Sequence, residues 1–246
     1  MTRTKRIAAR FDAAAPTYGE AALVQRRVAD ALAAQILAAN LMPGGRVLEL
    51  GCGAGQLTAR LAGPLQPALW IASDIAPAML EVLGKAAPHP AVRRLLTDAQ
   101  APAVRPGFDL VCSSLTLQWL ADPQAAIARW RALVSPDGVL AFSTLIEGSF
   151  AEWRKALIAA GAAEPGPPMA SLEQLRAWAP GARIEILDLH ERHVDGIAFL
   201  RAARQAGVDV GLGRPLSGGT MRRALRGFEA AGGAVTYRAA IVCMQL

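Results

Sequence analysis

Cysteine and histidine are scarce in this chain of 246 residues, with three of each. Cys52, Cys112 and Cys243 stand far apart and form no C-x-x-C pair. That spacing argues against a disulfide framework and a zinc site, and leaves each cysteine reading as a small buried hydrophobe. His190 and His193 are three residues apart with no further Cys or His cluster beside them, so no metal site is expected. No apolar run approaches the roughly 18 residues of a membrane helix. The opening MTRTKRIAARFD is basic but lacks an apolar h-region and an A-x-A cleavage signal. The expectation is therefore a cytoplasmic chain without membrane attachment. Blocks of five or six like charges are absent, as is any fixed-period repeat. No Ser-His-Asp or Cys-His set for nucleophilic catalysis stands out.

What is present is apolar residues, at 53%, enough for a full core in one domain of ordinary size. The net charge is +6 and the isoelectric point is near 9.9. Such a balance permits an acidic partner: nucleic acid, a phosphate-bearing small molecule or an acidic protein. It is equally what an Ala/Arg-rich background composition produces.

Along the chain, Val24, Val28, Leu32, Ile36 and Leu37 fall on one helical face. Pro16 and Gly19 are expected to divide this region into a short helix near 4–13 and a longer one near 20–40. Short apolar runs then alternate with helical stretches. Strands are expected at 46–51, 68–74, 92–99, 109–115 and 139–145. Helices are expected from Gln56, over 77–87, and over 123–134 with Asp122 as N-cap and Pro123 in the first turn. SPDG reads as a turn before the fifth strand. This alternation argues a parallel sheet covered by helices. After residue 147 the pattern changes. A helix over 150–162, a loop at 164–168 and a helix over 171–179 capped by Ser171 and Gln174 precede a strand at 183–194. A helix over 196–207 ended by Gly207, a Gly/Pro-rich loop over 208–219, a further helix and a last strand at 236–245 complete the chain. The block 148–234 reads as a cap inserted before the last strand. The expected division is thus 1–42 helical lid, 43–147 core, 148–234 cap and 235–246 final strand, within one domain.

The densest signal is VLELGCGAGQLT, with Gly51, Gly53 and Gly55 between a strand and a helix. Glycines there allow a tight turn and a close approach of backbone to ligand. The spacing is not G-x-G-x-x-G, and no G-K-S/T follows. Glu49, just ahead of the loop, is poor company for pyrophosphate. A cationic, phosphate-free nucleoside suits the loop better. Asp74 ends the next strand and can accept hydrogen bonds from ribose hydroxyls. Asp98 ends the third strand, beside Ala99, within reach of an adenine amine. Each acid alone is also what a solvated strand end or helix cap shows; three in order after successive strands are not.

E-L-G-C-G-A-G, then S-D, T-D-A and F-D-L-V, resemble the class I methyltransferases that use S-adenosylmethionine. The resemblance implies an α/β, Rossmann-like fold: a seven-stranded sheet whose last strand is antiparallel. It implies that Glu49, Gly51, Gly53, Gly55 and Gln56 form the loop under the cofactor's methionine part. Asp74 and Ile75 belong at its ribose, Asp98 and Ala99 at its adenine, and Ser114 also contacts the cofactor.

Two further stretches are similar to the malonyl-acyl carrier protein O-methyltransferases of biotin synthesis. In the first, RFDAAAPTYGEAALVQRR, the matches are Phe11, Ala14, Ala15, Tyr18 and Gln25. In the second they are Gln118 and Trp119 after the fourth strand, then Phe142, Ser143, Thr144, Leu145, Gly148 and Ser149. FLRAARQAG adds Leu200, Arg201 and Gly207. This likeness implies methylation of a malonyl thioester's free carboxylate, carried by acyl carrier protein or coenzyme A. Tyr18 and Arg201 are then the expected catalytic pair, with Gln118, Trp119, Ser143 and Arg204 at the substrate.

Carboxylate chemistry accords with the lack of a catalytic base, because the nucleophile is already ionised at neutral pH. A bidentate arginine is the natural carboxylate anchor. Arg192, Arg214, Arg222, Arg223 and Arg226 are candidates for a rim that steers acidic carrier protein. Three rival readings remain: a methyltransferase for another carboxylic acid, a quinone or a phenol; a nucleic-acid methyltransferase; and a non-catalytic binding protein on this fold. The second is disfavoured because SSLTLQ stands where an Asn/Asp-Pro-Pro-aromatic motif is needed, and no nucleic-acid partner is expected.

Overall fold

In the computed structural model, residues 2–21, 23–162, 169–205 and 216–246 are described. The expected loop at 164–168, the helix end at Gly207, most of the 208–219 loop and Arg214 lie outside them.

Five parallel strands come first: β1 (Arg46–Leu50), β2 (Leu69–Asp74), β3 (Val92–Leu96), β4 (Phe108–Ser114) and β5 (Val134–Leu145). The helices among them are α3 (Gln56–Leu65), α4 (Pro77–Ala86) and α5 (Pro123–Arg131). Ahead of β1 stand α1 (Arg3–Ala21) and α2 (Leu23–Ala38). After β5 come α6 (Ala151–Ala159), α7 (Leu172–Trp178), β6 (Arg183–Arg192), α8 (Gly196–Gln205), α9 (Gly218–Ala230) and β7 (Ala234–Gln245). The strand order is β3-β2-β1-β4-β5-β7-β6, and β7 runs antiparallel to both its neighbours. β1 lies between β2 and β4, so connections leave it in opposite directions. A crevice for ligands opens at the carboxyl ends of the strands at such a switch point.

The inner strands are near-continuous apolar runs because both faces of the sheet are covered. On one face, Val28, Leu32 and Ile36 of α2 pack with Leu57 and Leu61 of α3 and with Trp153, Phe199 and Phe228 from the later helices. On the other, Trp130 of α5 meets Phe142 edge-on at 5.9 Å, and Leu175 of α7 joins them. The expected caps form: Asp122 accepts the Ala125 N–H at 2.9 Å, and Ser171 and Gln174 make a capping box.

Three local expectations need correction. Pro16 does not end the first helix, since α1 runs through it to Ala21. Pro16 is exposed, and its missing N–H takes the intrahelical donor from the carbonyl of Asp12, one turn earlier. SPDG lies inside β5, where the register jumps from Phe108↔Val134 to Leu110↔Val139. The turn is a bulge, with Asp137 in the left-handed region at φ 63. β6 falls within the block expected as a cap, yet it pairs along its whole length with β7 and forms the sheet edge.

Candidate active site

The turn from β1 to α3 is tied down from below. The Cys52 N–H donates to the Ser73 carbonyl at 2.8 Å, and the Gly53 N–H donates to Asp74 Oδ2 at 2.9 Å. Asp74 Oδ1 accepts the Ala76 N–H at 2.8 Å. One carboxylate thus joins the glycine loop to the start of α4. Gly51 has φ 68, and a Cβ there would lie 2.1 Å from Thr116 Oγ1. Conformation and space both demand glycine at this point. Gly55 instead backs onto Leu83 of α4.

Above the strand ends lies a cleft of about 810 Å³, counting its part open to solvent. Gly51, Gly53, Asp74, Ile75, Asp98 and Ala99 form its floor, with Ser114, Leu115 and Thr116 beside them. Trp119 and Leu120 close one side. α1 closes another with Arg3, Ile7, Phe11 and Tyr18, a single helical ridge. Phe11 meets Trp119 edge-on at 5.6 Å and Tyr18 at 6.4 Å. Asp12 accepts the Ala78 N–H at 2.9 Å, docking α1 on the first turn of α4.

The segment 98–100 is fixed from behind. Asp98 Oδ1 accepts the Gln100 N–H at 2.8 Å, and the Trp130 indole N–H donates to the Ala99 carbonyl at 2.7 Å. Arg129 donates to the Gln100 carbonyl at 3.0 Å.

Several expected site residues stand behind the wall. Glu49 is buried, and its Oε2 accepts from the Thr58 hydroxyl and from the Trp70 indole N–H. Burial pushes its carboxyl up to about 7, although those two hydrogen bonds oppose the shift. Gly55 and Gln56 are likewise not on the cleft wall. Ser143 and Gln118, expected at the substrate, grip Leu115 instead. Ser143 Oγ accepts the Leu115 N–H at 3.1 Å, and Gln118 Nε2 donates to its carbonyl at 2.7 Å. Leu115 has φ 52, a strained conformation for a leucine that this double grip sustains.

Arg201 and Arg204 are exposed on α8 and do not line the cleft. Gly196, Phe199 and Ala203 make the buried stripe of that helix, which turns both arginines outward. Among the described residues, Arg3 is the one cation on the cleft wall. Sequence reasoning missed Arg3, Ile7, Leu115, Thr116 and Leu120; the four-residue spacing of Arg3, Ile7 and Phe11 was the available signal.

Burial raises the Asp74 carboxyl against three opposing backbone N–H bonds. Burial, with the Asp74 charge nearby, holds the Tyr18 phenol above its ordinary range. Tyr18 is therefore a protonated donor at neutral pH and not a base.

The sequence and the fold both find counterparts in known proteins. A model described as "Methyltransferase domain" matches residues 48–142. A malonyl-[acyl-carrier protein] O-methyltransferase of Magnetococcus marinus is 35% identical, over 85% of this chain and 80% of its own length. This chain belongs to the malonyl-[acyl-carrier protein] O-methyltransferase family. The biotin biosynthesis bifunctional protein BioCD of Bordetella avium is 41% identical over 94% of this chain. The chain spans half the length of that bifunctional relative. Among solved structures, the YcgJ protein of Bacillus subtilis superposes with a TM-score of 0.63 at 15% identity, covering 86% of this chain and 96% of its own. Magnesium protoporphyrin IX methyltransferase from Synechocystis with bound SAM gives 0.50 at 15%, covering 88% and 78%. These two likenesses concern the fold.

Proposed function

We propose that this chain is an S-adenosylmethionine-dependent carboxyl O-methyltransferase that converts the free carboxylate of a malonyl thioester to its methyl ester, an early step of biotin synthesis in the cytoplasm. The observation that carries the reading is the charge lining of the cleft. Two carboxylates, Asp74 and Asp98, lie on the floor, and α1 contributes the wall's one described cation. A floor of that kind fits a cationic, ribose-bearing, phosphate-free ligand and repels pyrophosphate.

In this reading Asp74 and Ile75 hold the ribose, and Asp98 and Ala99 meet the adenine. Gly51, Gly53 and Ser114 border the methionine part. Bound there, S-adenosylmethionine supplies an electrophilic methyl group on a sulfonium. Phe11 and Trp119 exclude water and restrict the approach of the acceptor. Alignment of that kind is worth roughly 7–11 kcal/mol of barrier. The acceptor carboxylate needs no base, and the Tyr18 phenol donates a hydrogen bond to the oxygen that does not react. That bond orients the acceptor while leaving the other oxygen's electron pair free.

The test is incubation with methyl-labelled S-adenosylmethionine and malonyl-acyl carrier protein, malonyl-coenzyme A or acetyl-acyl carrier protein. Label on a malonyl thioester and none on acetyl is the expected result. No label on either malonyl form, with S-adenosylhomocysteine still bound, overturns the malonyl reading and leaves another carboxylic acid as substrate.

A further inference from the structure

A carrier-bound acyl group enters a buried site on a flexible arm, so the carrier itself must sit beside the mouth of the cleft. α1 is well placed to receive it. Its first eight residues, Arg3 to Arg10, hold four cations, Arg3, Lys5, Arg6 and Arg10, and no acid. The first acid, Asp12, is engaged with the Ala78 N–H. Arg3, Ile7 and Phe11 face the cleft, while Arg3, Arg6 and Arg10 follow the adjoining i, i+3, i+7 ridge. Arg3, Lys5 and Arg6 are exposed. One helix therefore carries the cleft wall on one ridge and a basic outer surface on the next.

The alternative rim on α9 lacks this continuity. Arg222, Arg223 and Arg226 are exposed, but no described residue of α6 to α9 lines the cleft. Arg223 donates to the Ala160 carbonyl at 3.0 Å.

We propose that the exposed basic surface of the first half of α1, centred on Arg3 and Arg6 with Lys5 beside them, is the docking surface for the acidic carrier protein. This rests on the malonyl-thioester reading above. Charge on such a rim steers encounter and fixes orientation. The acids inside the cleft favour the cofactor, and the cations outside it favour the carrier.

The experiment compares Lys5→Glu/Arg6→Glu with Arg222→Glu/Arg226→Glu. Neither pair touches the cleft wall, and acids near a helix N-terminus favour the helix, so the α1 variant retains its fold. Two readouts are taken: the KM for malonyl-carrier protein against malonyl-pantetheine, and binding of fluorescently labelled carrier protein followed by anisotropy. The α1 variant is expected to raise the carrier KM about tenfold and weaken carrier binding, most at low salt, with malonyl-pantetheine unaffected. An unchanged carrier KM, an equal shift for both substrates, or a larger effect from the α9 variant overturns the proposal. The binding arm separates the two ideas. Carrier bound by wild type and lost in the α1 variant supports this surface even if no thioester is methylated, whereas turnover of malonyl-pantetheine with α1-independent carrier binding refutes the surface and spares the reaction.

Discussion

Asp74→Asn is the sharpest perturbation the site offers. Among its backbone N–H donors, the carboxylate takes Gly53 at 2.9 Å on Oδ2 and Ala76 at 2.8 Å on Oδ1, one on each oxygen. An amide has one acceptor oxygen and two donor hydrogens. Whichever way the substituted amide turns, one backbone N–H faces another N–H. A hydrogen bond to a charged group contributes about 1.5–3 kcal/mol, so the lost contact predicts roughly 10- to 100-fold weaker binding of S-adenosylhomocysteine. Gly53 lies on the cleft floor, so the amide orientation that orphans its N–H is the one that reaches the ligand. Calorimetric titration measures it, with thermal unfolding as the control for a folded variant. Acid should mimic the substitution. Burial raises the Asp74 carboxyl, so wild-type affinity declines on acidification sooner than an ordinary aspartate would dictate, and the Asn variant loses this dependence. A folded variant that binds within about threefold of wild type refutes the reasoning, because the carboxylate is then dispensable to the loop.

Glu49→Gln tests the acid beneath the loop. Its carboxyl rises from 4.5 to about 7, so the folded chain keeps a proton that the unfolded chain releases. Its contribution to stability therefore falls as pH rises through that window, by roughly 3 kcal/mol in all. Urea unfolding at about pH 5 and about pH 8 should show the Gln variant losing less stability between them than wild type; equal losses contradict the shift. Arg201→Ala should leave kcat/KM within about twofold, since the side chain is exposed and off the wall, and a loss beyond about tenfold returns the carboxylate anchor to α8.

The acids and glycines at strand ends are legible because backbone geometry there is local. Gly51 and Gly53 follow β1, Asp74 ends β2 and Asp98 follows β3, so their place in the chain nearly fixes their place in the crevice. Pro16 misleads because tertiary contacts can hold a helix through a proline: α1 is docked by Asp12 to Ala78 and by Phe11 to Trp119. The bonds of Ser143 and Gln118 to Leu115 were not legible because they depend on which way each side chain turns at the strand ends. The exposed placement of Arg201 was not legible because a family position says nothing about which face of α8 is buried.

By itself the sequence determined the strand–helix alternation, the glycine turn and the acidic floor, all of which follow from hydrophobic period and local backbone freedom. Tertiary structure alone decided the cleft's roof, the edge position of β6 and the outward turn of Arg201 and Arg204. Those depend on which faces pack together: α1 seals the site because Asp12 and Phe11 find partners far along the chain, at Ala78 and Trp119.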